Sequence, residues 1–335
     1  MAGVKCLFQE SQNNSKPMYI FGHSCQALHV LVKSSVSVIA IPLIMRIHEG
    51  LGNRRGSVVM RVLDLVLSLK INGSYLVGEA YYWAGDLSIK LQAMDNHLIS
   101  RVKKTAVAYE SPPTRKKRGR PLKYGKKVSL QNMFKGKGFT QTTISLYGKD
   151  QEIFYKEKVL LCKRHQCFVK YVFVKNGSRQ CIFASTDTTL DALDIITIYS
   201  YRFKIEFSFK EFIHDFGGFC YRFWSKSIDR SRKKGVEKRN NLVEHAYHLH
   251  LQFAVIAQGV ANMLAIQNSQ LIWKTHQSWM RTIREGMIPS AAVTRIDFQK
   301  AFLDFSMLPK KYSNLIKFMR KRKERDKIKL QDLAA

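Results

Sequence analysis

The chain has 335 residues, 45% of them apolar, which excludes a disordered polar tail and allows one large core or two modest ones. Lysine and arginine number 56 against 25 acids, a net charge of +31, which disfavours a chain that works far from any polyanion. Nucleic acid is the expected partner, because each neutralised phosphate releases counterions. A membrane surface or an acidic protein comes second, and nucleoid or RNA-binding proteins share this charge balance.

In chain order, the N-terminal segment lacks the long apolar run of a signal peptide. Tyr19 to Phe21 and Ala27 to Val32 read as one strand region. Lys33-Ser34-Ser35 is a turn, and Val36 to Ile47 is an apolar run fit for a buried strand. It is too short to span a bilayer and contains Pro42. Residues 55–70 read as an amphipathic helix, with Val58, Val62, Leu65, Val66 and Leu69 on one face and Asn72-Gly73 closing it. A short strand, Ser74 to Gly78, ends at Glu79. A helix from Asp86 to Met94 and a strand from His97 to Val102 follow.

Residues 103–127 are basic and rich in Pro and Gly, and read as an exposed loop. Within it, Arg118 and Arg120 belong to an R-G-R-P word like the core of an AT-hook. Such a word suits a narrow A·T minor groove, with a solvated loop as the plainer reading. Strands are expected near 152–162, 167–175 and 179–185. Cys162, His165 and Cys167 could suggest a metal, but C-x4-C without a second pair points to two strand cysteines. Six sparse cysteines suit a reducing cytosol.

A single long helix is expected after Asp187, with Thr188 and Asp191 as a capping-box-like start, running past Phe207 toward Gly217-Gly218. Tyr199, Arg202, Glu206 and Lys210 share one stripe of it, with Ile196, Phe203 and Phe207 anchoring it in a core. Glu206 between two cations reads either as a surface ion pair or as a metal-ligating acid beside phosphate-holding cations. Phe219, Tyr221, Phe223 and Trp224 read as core aromatics before base-stacking ones. Helical segments near 243–266 and 268–285 precede a basic C-terminal segment that includes Lys317, Arg320 and Lys321.

The run Y-x2-R-x3-E, filled by Tyr199, Arg202 and Glu206, resembles the signature of a group of bacterial insertion-sequence DDE transposases. NNSKPMYIFGHSCQAL, IPLIMRIHEG, YLVGEAYYWAG, HLISRVKKTAVAYE, RGRPLKYGKK and YRFKIEFSFKEFIHDFG are similar to that family in collinear order. The resemblance implies an α/β fold: an RNase H-like mixed sheet flanked by helices, with a β-rich insertion before the third-acid helix and a helical C-terminal part. It divides the chain into 1–102 and 187–285 as two parts of a catalytic domain, 103–186 as loop and insertion, and 286–335 as a basic tail.

It also implies metal-dependent DNA cleavage and strand transfer with Mg²⁺ or Mn²⁺, two ions held by three acids. Glu206 matches the third acid. Glu79 stands where the family has Asp, one methylene too long for an ion that demands near-ideal geometry. Tyr199 and Arg202 match phosphate and DNA contacts. Lys210 takes the place of a lysine that the family puts at the position of Ile213. The first acid has no counterpart, since its strand would precede the segment that starts near Met1. Glu10, Glu49 and Asp64 are the acids available as substitutes, and Asp86 lies too far past the strand end. The resemblance thus implies an N-terminally truncated copy with weak metal binding, or a non-catalytic DNA-binding remnant. The implied partners are transposon ends, target DNA, and a second copy or an intact transposase, in a bacterial cytoplasm near the nucleoid.

Overall fold

The computed structural model describes residues 4–8, 17–34, 37–48, 58–113, 121–221, 236–276 and 286–305. The chain divides into two compact units, Met1–Val32 with Val38–Ile256, and Lys33–Ser37 with Ala257–Ala335.

The first unit opens with β1 (Lys5–Phe8) paired antiparallel to β2 (Tyr19–Gly22). β3 (Ser24–Lys33) and β4 (Val38–His48) form a second two-stranded sheet. The sequence reading merged β2 with β3; the two are separate because β2 turns to β1 while β3 turns to β4. α1 (Val58–Leu69) buries Val62, Leu63, Leu65 and Val66. Lys70 ends it in the left-handed region at φ 51°, ahead of the Gly73 turn at φ 64°.

An eight-stranded sheet carries the rest of the unit. β5 (Tyr75–Gly78) runs parallel to β6 (His97–Val102), with α2 (Gly85–Gln92) as the crossover between them. Then come β7 (Val107–Tyr109), β8 (Lys127–Ser129), β9 (Thr140–Leu146), β10 (Lys149–Cys162), β11 (Cys167–Asn176) and β12 (Arg179–Ser185). The order is β5-β6-β12-β11-β10-β7-β8, with β9 on β10. The stretch 103–127 was expected as loop, yet it holds β7 and the start of β8. Their ladder, Val107↔Ser129 to Tyr109↔Lys127, gives that basic stretch backbone partners.

The burial pattern explains the order. β11 is buried from Val169 to Val174 without alternation, so both its faces are covered. β6 is likewise buried at Leu98, Ile99, Ser100 and Val102. One face of the sheet packs on α3 (Ala192–Tyr201) through Ile99, Val172, Ile195 and Ile196. α1 and α2 share another core with Leu98, Leu28 of β3 and Leu76 of β5. Each fully buried aliphatic side chain contributes about 1.5–3 kcal/mol.

The single helix expected after Asp187 is two. Asp191 caps α3, its carboxylate accepting from the Leu193 amide at 2.7 Å, whereas Asp187 closes a local turn with the Thr189 amide at 2.8 Å. α4 (Lys204–His214) starts after a joint at Arg202-Phe203. There the amides of Arg202, Phe203, Ile205 and Glu206 bond three residues back, tightening the helix. Thr197 and Ser200 hydroxyls donate to the carbonyls of Leu193 and Thr197, which bends a helix by local competition. Phe203 and Phe207 are consequently exposed and do not anchor the helix. Phe212 does, inside a core with Met45, Ile47, Tyr247 and Leu251.

α5 (Val236–Gln267) continues from the first unit into the second. The second unit adds α6 (Ser269–Thr275) and α7 (Ala291–Phe305), joined by a small core of Ile272, Trp273 and Val293. α7 is a helix within the segment read from sequence as a basic tail.

Candidate catalytic site

The end of β5 is set before any site chemistry begins. Asn96 accepts from the Ser74 amide at 2.9 Å and donates to the Ile71 carbonyl at 2.8 Å, fixing the entry to the strand. At the exit, Gly78 lies under Tyr82, and a Cβ there would sit 2.9 Å from the Tyr82 Cβ. The next residue is Glu79. Its carbonyl accepts from the Ser100 hydroxyl at 2.9 Å and from the Tyr82 amide at 2.8 Å. A 3₁₀ turn, Ala80–Tyr82, follows at once and turns the chain away, leaving the Glu79 side chain at the strand end. Tyr82 in turn accepts from Gln26 of β3 at 3.3 Å.

The second carboxylate arrives from the α3–α4 joint. Arg202 donates from one guanidinium nitrogen to Glu79 Oε1 at 2.8 Å and from the other to Glu206 Oε1 at 3.4 Å. One cation therefore holds two acids from distant parts of the chain. Arg202 is 22% exposed, whereas Glu79 and Glu206 are 62% and 48% exposed, so the pair opens to solvent over a half-buried cation. A guanidinium bonded to two carboxylates marks a place where positive charge is favoured. That place suits an oxygen-preferring divalent ion in its donor chemistry. Among the described residues no cluster of three or more metal-ligating side chains occurs, so the pair is one carboxylate short of a three-acid set.

Tyr199 packs tilted against Phe183 with centroids 4.8 Å apart, and Arg202 lies 6.0 Å from the Tyr199 ring. Burial pushes the Tyr199 phenol up, against the pull of Arg202 and Arg101. Lys210 is exposed on α4, its ammonium 5.7 Å from the Phe207 ring, and Ile213 is exposed near the helix end. Asp64 is exposed on α1 and Asp86 is exposed in the first turn of α2. Glu10, Glu49, Arg118, Arg120, Phe223, Trp224 and the basic C-terminal cations lie outside the described residues. Tyr221 is core, packed 4.8 Å from Tyr247, whereas Phe219 is partly exposed.

Two features escaped the sequence. Tyr147, Phe203 and Phe207 form an exposed file of edge-to-face rings, with centroids 5.9 and 5.4 Å apart. Tyr147 stands at the β9–β10 hairpin tip at φ 55°, next to Gly148 at φ 76°. That Tyr-Gly pair was the available signal.

The other is a clamp on the segment after Glu79. His165, in the β10–β11 turn, is buried and places Nδ1 2.6 Å from Ser88 Oγ, with its ring 4.1 Å from Trp83. Ser88 gives its one proton to the Gly85 carbonyl at 2.9 Å, so Nδ1 carries the proton of the His165 contact. Burial, with Arg164 adding to it, holds the imidazole down at about 4. Cys162 and Cys167 face each other across β10 and β11 as free thiols.

β5 pairs with β6 on one side only; among the described residues no strand occupies its other edge. β3 and β5 contribute Leu28 and Leu76 to one core, yet no ladder joins them.

A mixed sheet flanked by helices, with its parallel pair next to an inserted antiparallel run, places the chain in the RNase H-like class. The family model for the transposase DDE domain matches residues 40–226, more than half of the chain, and the chain belongs to that family. Transposases act on DNA, and that is the broad function of this chain. No curated protein matches it.

Proposed function

We propose that this chain cleaves and rejoins phosphodiester bonds at the ends of an insertion sequence, using Glu79 and Glu206 as its metal-binding acids. The observation that carries this reading is the Arg202 guanidinium shared by the two carboxylates. Divalent ions, Mg²⁺ or Mn²⁺, would supply charge stabilisation for the attacking and leaving oxygens. Glu79 and Glu206 would hold them. With both acids engaged by an ion, Arg202 would be free to hold a phosphate by its planar fork. Tyr199 keeps that fork aligned, and Lys210, one turn further along α4, adds a point charge for the strand beyond. Arg118 and Arg120 would enter a minor groove outside the site.

A strand added along the free edge of β5, ending in a carboxylate, would complete the set of three acids. The proposed division keeps 1–102 and 187–285 as the catalytic parts, 103–186 as the insertion and 286–335 as a basic extension. The proposed setting is the bacterial cytoplasm.

A second reading, a DNA-binding remnant without cleavage, is favoured by the pair lacking a third acid among the described residues and by Glu in place of Asp at position 79. Strand cleavage tested on the DNA that flanks the coding sequence, in Mg²⁺ and in Mn²⁺, separates the two. Cleavage that disappears in Glu206→Gln supports the first reading. Tight binding to the same DNA with no cut strand at any metal concentration supports the remnant.

A further inference from the structure

β10 and β11 meet at a four-residue turn, Lys163 to Gln166, and the two residues that close it are both cysteines: Cys162 and Cys167 are ladder partners. Cys6 and Cys181 have Phe21 and Val174 opposite them instead. Both side chains of the pair lie on one face of the sheet, against the core that holds Leu160, Val169 and Tyr171. Directly opposed residues of an antiparallel pair stand about 4.5–5.5 Å apart at Cα. A disulfide spans about 4.4–6.8 Å, so the backbone already has the spacing that the bond needs. Both cysteines are thiols in this structure. Among the described residues no third metal-binding side chain joins them, and His165 is turned to Ser88.

We propose that Cys162 and Cys167 are an oxidisable dithiol whose disulfide locks the turn that holds the chain after Glu79. His165 of that turn bonds Ser88 and packs on Trp83, and the Arg164 carbonyl lies where a Cβ of Gly85 would sit. Gln92, the last residue of α2, donates to Cys167 Sγ at 3.3 Å, so the thiol itself touches the helix that His165 holds. Opening of the turn would free residues 82–88 from β10 and β11. A bond across its base removes most of the conformations in which it is open.

The oxidant is a low-molecular-weight disulfide such as oxidised glutathione. Cys167 is half-buried whereas Cys162 is buried, so Cys167 is the thiol that the oxidant reaches. Its thiolate attacks one sulfur, the glutathione S–S bond breaks, and one glutathione leaves as thiolate. Cys162, its proton lost to solvent, then attacks the Cys167 sulfur of the mixed disulfide, and the second glutathione leaves. Two electrons pass from the protein to the oxidant, and the two cysteine protons end on the two glutathione thiols. Burial pushes the Cys167 thiol up, against the pull of Gln92. The exchange is therefore slow at neutral pH and answers a sustained redox poise rather than a brief pulse.

The test equilibrates the full chain in glutathione buffers of falling reduced-to-oxidised ratio at mildly alkaline pH. Remaining thiols are trapped with iodoacetamide and the peptides mapped by mass without reduction. The expected result is a bond between Cys162 and Cys167, two hydrogens lighter than the dithiol, with glutathione on neither. The exposed Cys6 and Cys220 should carry glutathione in the same buffers. In Cys162→Ser, Cys167 should carry glutathione instead, since nothing resolves the mixed disulfide. Hydrogen exchange of residues 82–88 should slow at least about threefold when wild type is oxidised, and not in the Cys162→Ser control. The wild-type measurements stand if that variant misfolds. Glutathione on both cysteines overturns the proposal, as does a pair still alkylated in buffers where Cys6 and Cys220 are modified. Exchange at 82–88 that is equal in the reduced and oxidised wild type overturns the lock.

Discussion

The clamp at His165 gives a pH-dependent stability that can be worked from the structure. The imidazole is buried and held at about 4, against an ordinary value near 6.5 in the unfolded chain. The folded state therefore takes up this proton less readily than the unfolded state. The clamp's contribution is complete above pH 6.5 and is lost as the pH falls through that value toward about 4. Between pH 8 and pH 5 the loss amounts to about 2 kcal/mol for this one residue. His29, held at about 4 by burial in the same direction, adds a similar loss. Wild-type protein should lose about 4 kcal/mol over that range from the two. His165→Gln keeps a side chain able to bond Ser88 but cannot titrate, so it should lose about half as much. Urea unfolding at pH 8 and pH 5 reads both slopes. Equal losses in wild type and variant would refute the burial of an uncharged imidazole at this turn.

Three further outcomes follow from the same geometry. Gly85→Ala would gain about 1 kcal/mol of helix propensity. A Cβ there would lie 1.9 Å from the Arg164 carbonyl, so the backbone clash wins and the variant should be about 2–4 kcal/mol less stable by thermal unfolding. At Asp187 burial pushes the carboxyl up, but hydrogen bonds from Thr189 and Tyr75 outweigh it and hold the group down at about 2. Its share of stability is present above the usual carboxylate range and is lost as pH falls toward about 2; a carboxyl NMR titration with a midpoint near 4 would contradict this. Arg202→Lys leaves a single ammonium that cannot span both acids. Stability should move by less than about 1 kcal/mol, since both acids are solvent-exposed, while strand cleavage falls at least about tenfold. Cleavage at the wild-type rate would remove Arg202 from the site.

What could be read from the residues alone followed the strength of local pattern. His97–Val102 and Arg179–Ser185 were read with their observed limits, because short apolar runs bounded by turn residues leave few alternatives. Thr140–Leu146 was missed: TQTTISL has too few apolar positions to alternate, and its strand exists because β10 offers a partner along Lys149–Tyr155. The joint at Arg202-Phe203 carries no Gly or Pro. Its signal is two hydroxyls one turn earlier, which most helices tolerate without bending. Hence the stripe of Tyr199, Arg202 and Glu206 was found, while Phe203 and Phe207 were placed on the wrong side. Glu79 could be singled out only by resemblance to a family; a strand-end acid is otherwise ordinary. The contact that joins it to Arg202 spans 123 positions and leaves no trace in local sequence. The His165 clamp spans 77 and is hidden in the same way.

The strands within 103–186, proposed as an insertion, are stitched into the sheet that carries Glu79 rather than hung from it. β12 lies against β6 through Ile182↔Val102 to Ser185↔Ile99, and β6 is the only strand bonded to β5 among the described residues. Cutting out the inserted strands would strip β6 of one whole flank of backbone partners and leave Leu98 and Ile99 beside a raw, sticky border. No smaller fragment made by looping out that region keeps β6 paired on both sides. β12 and β6 stand or fall together.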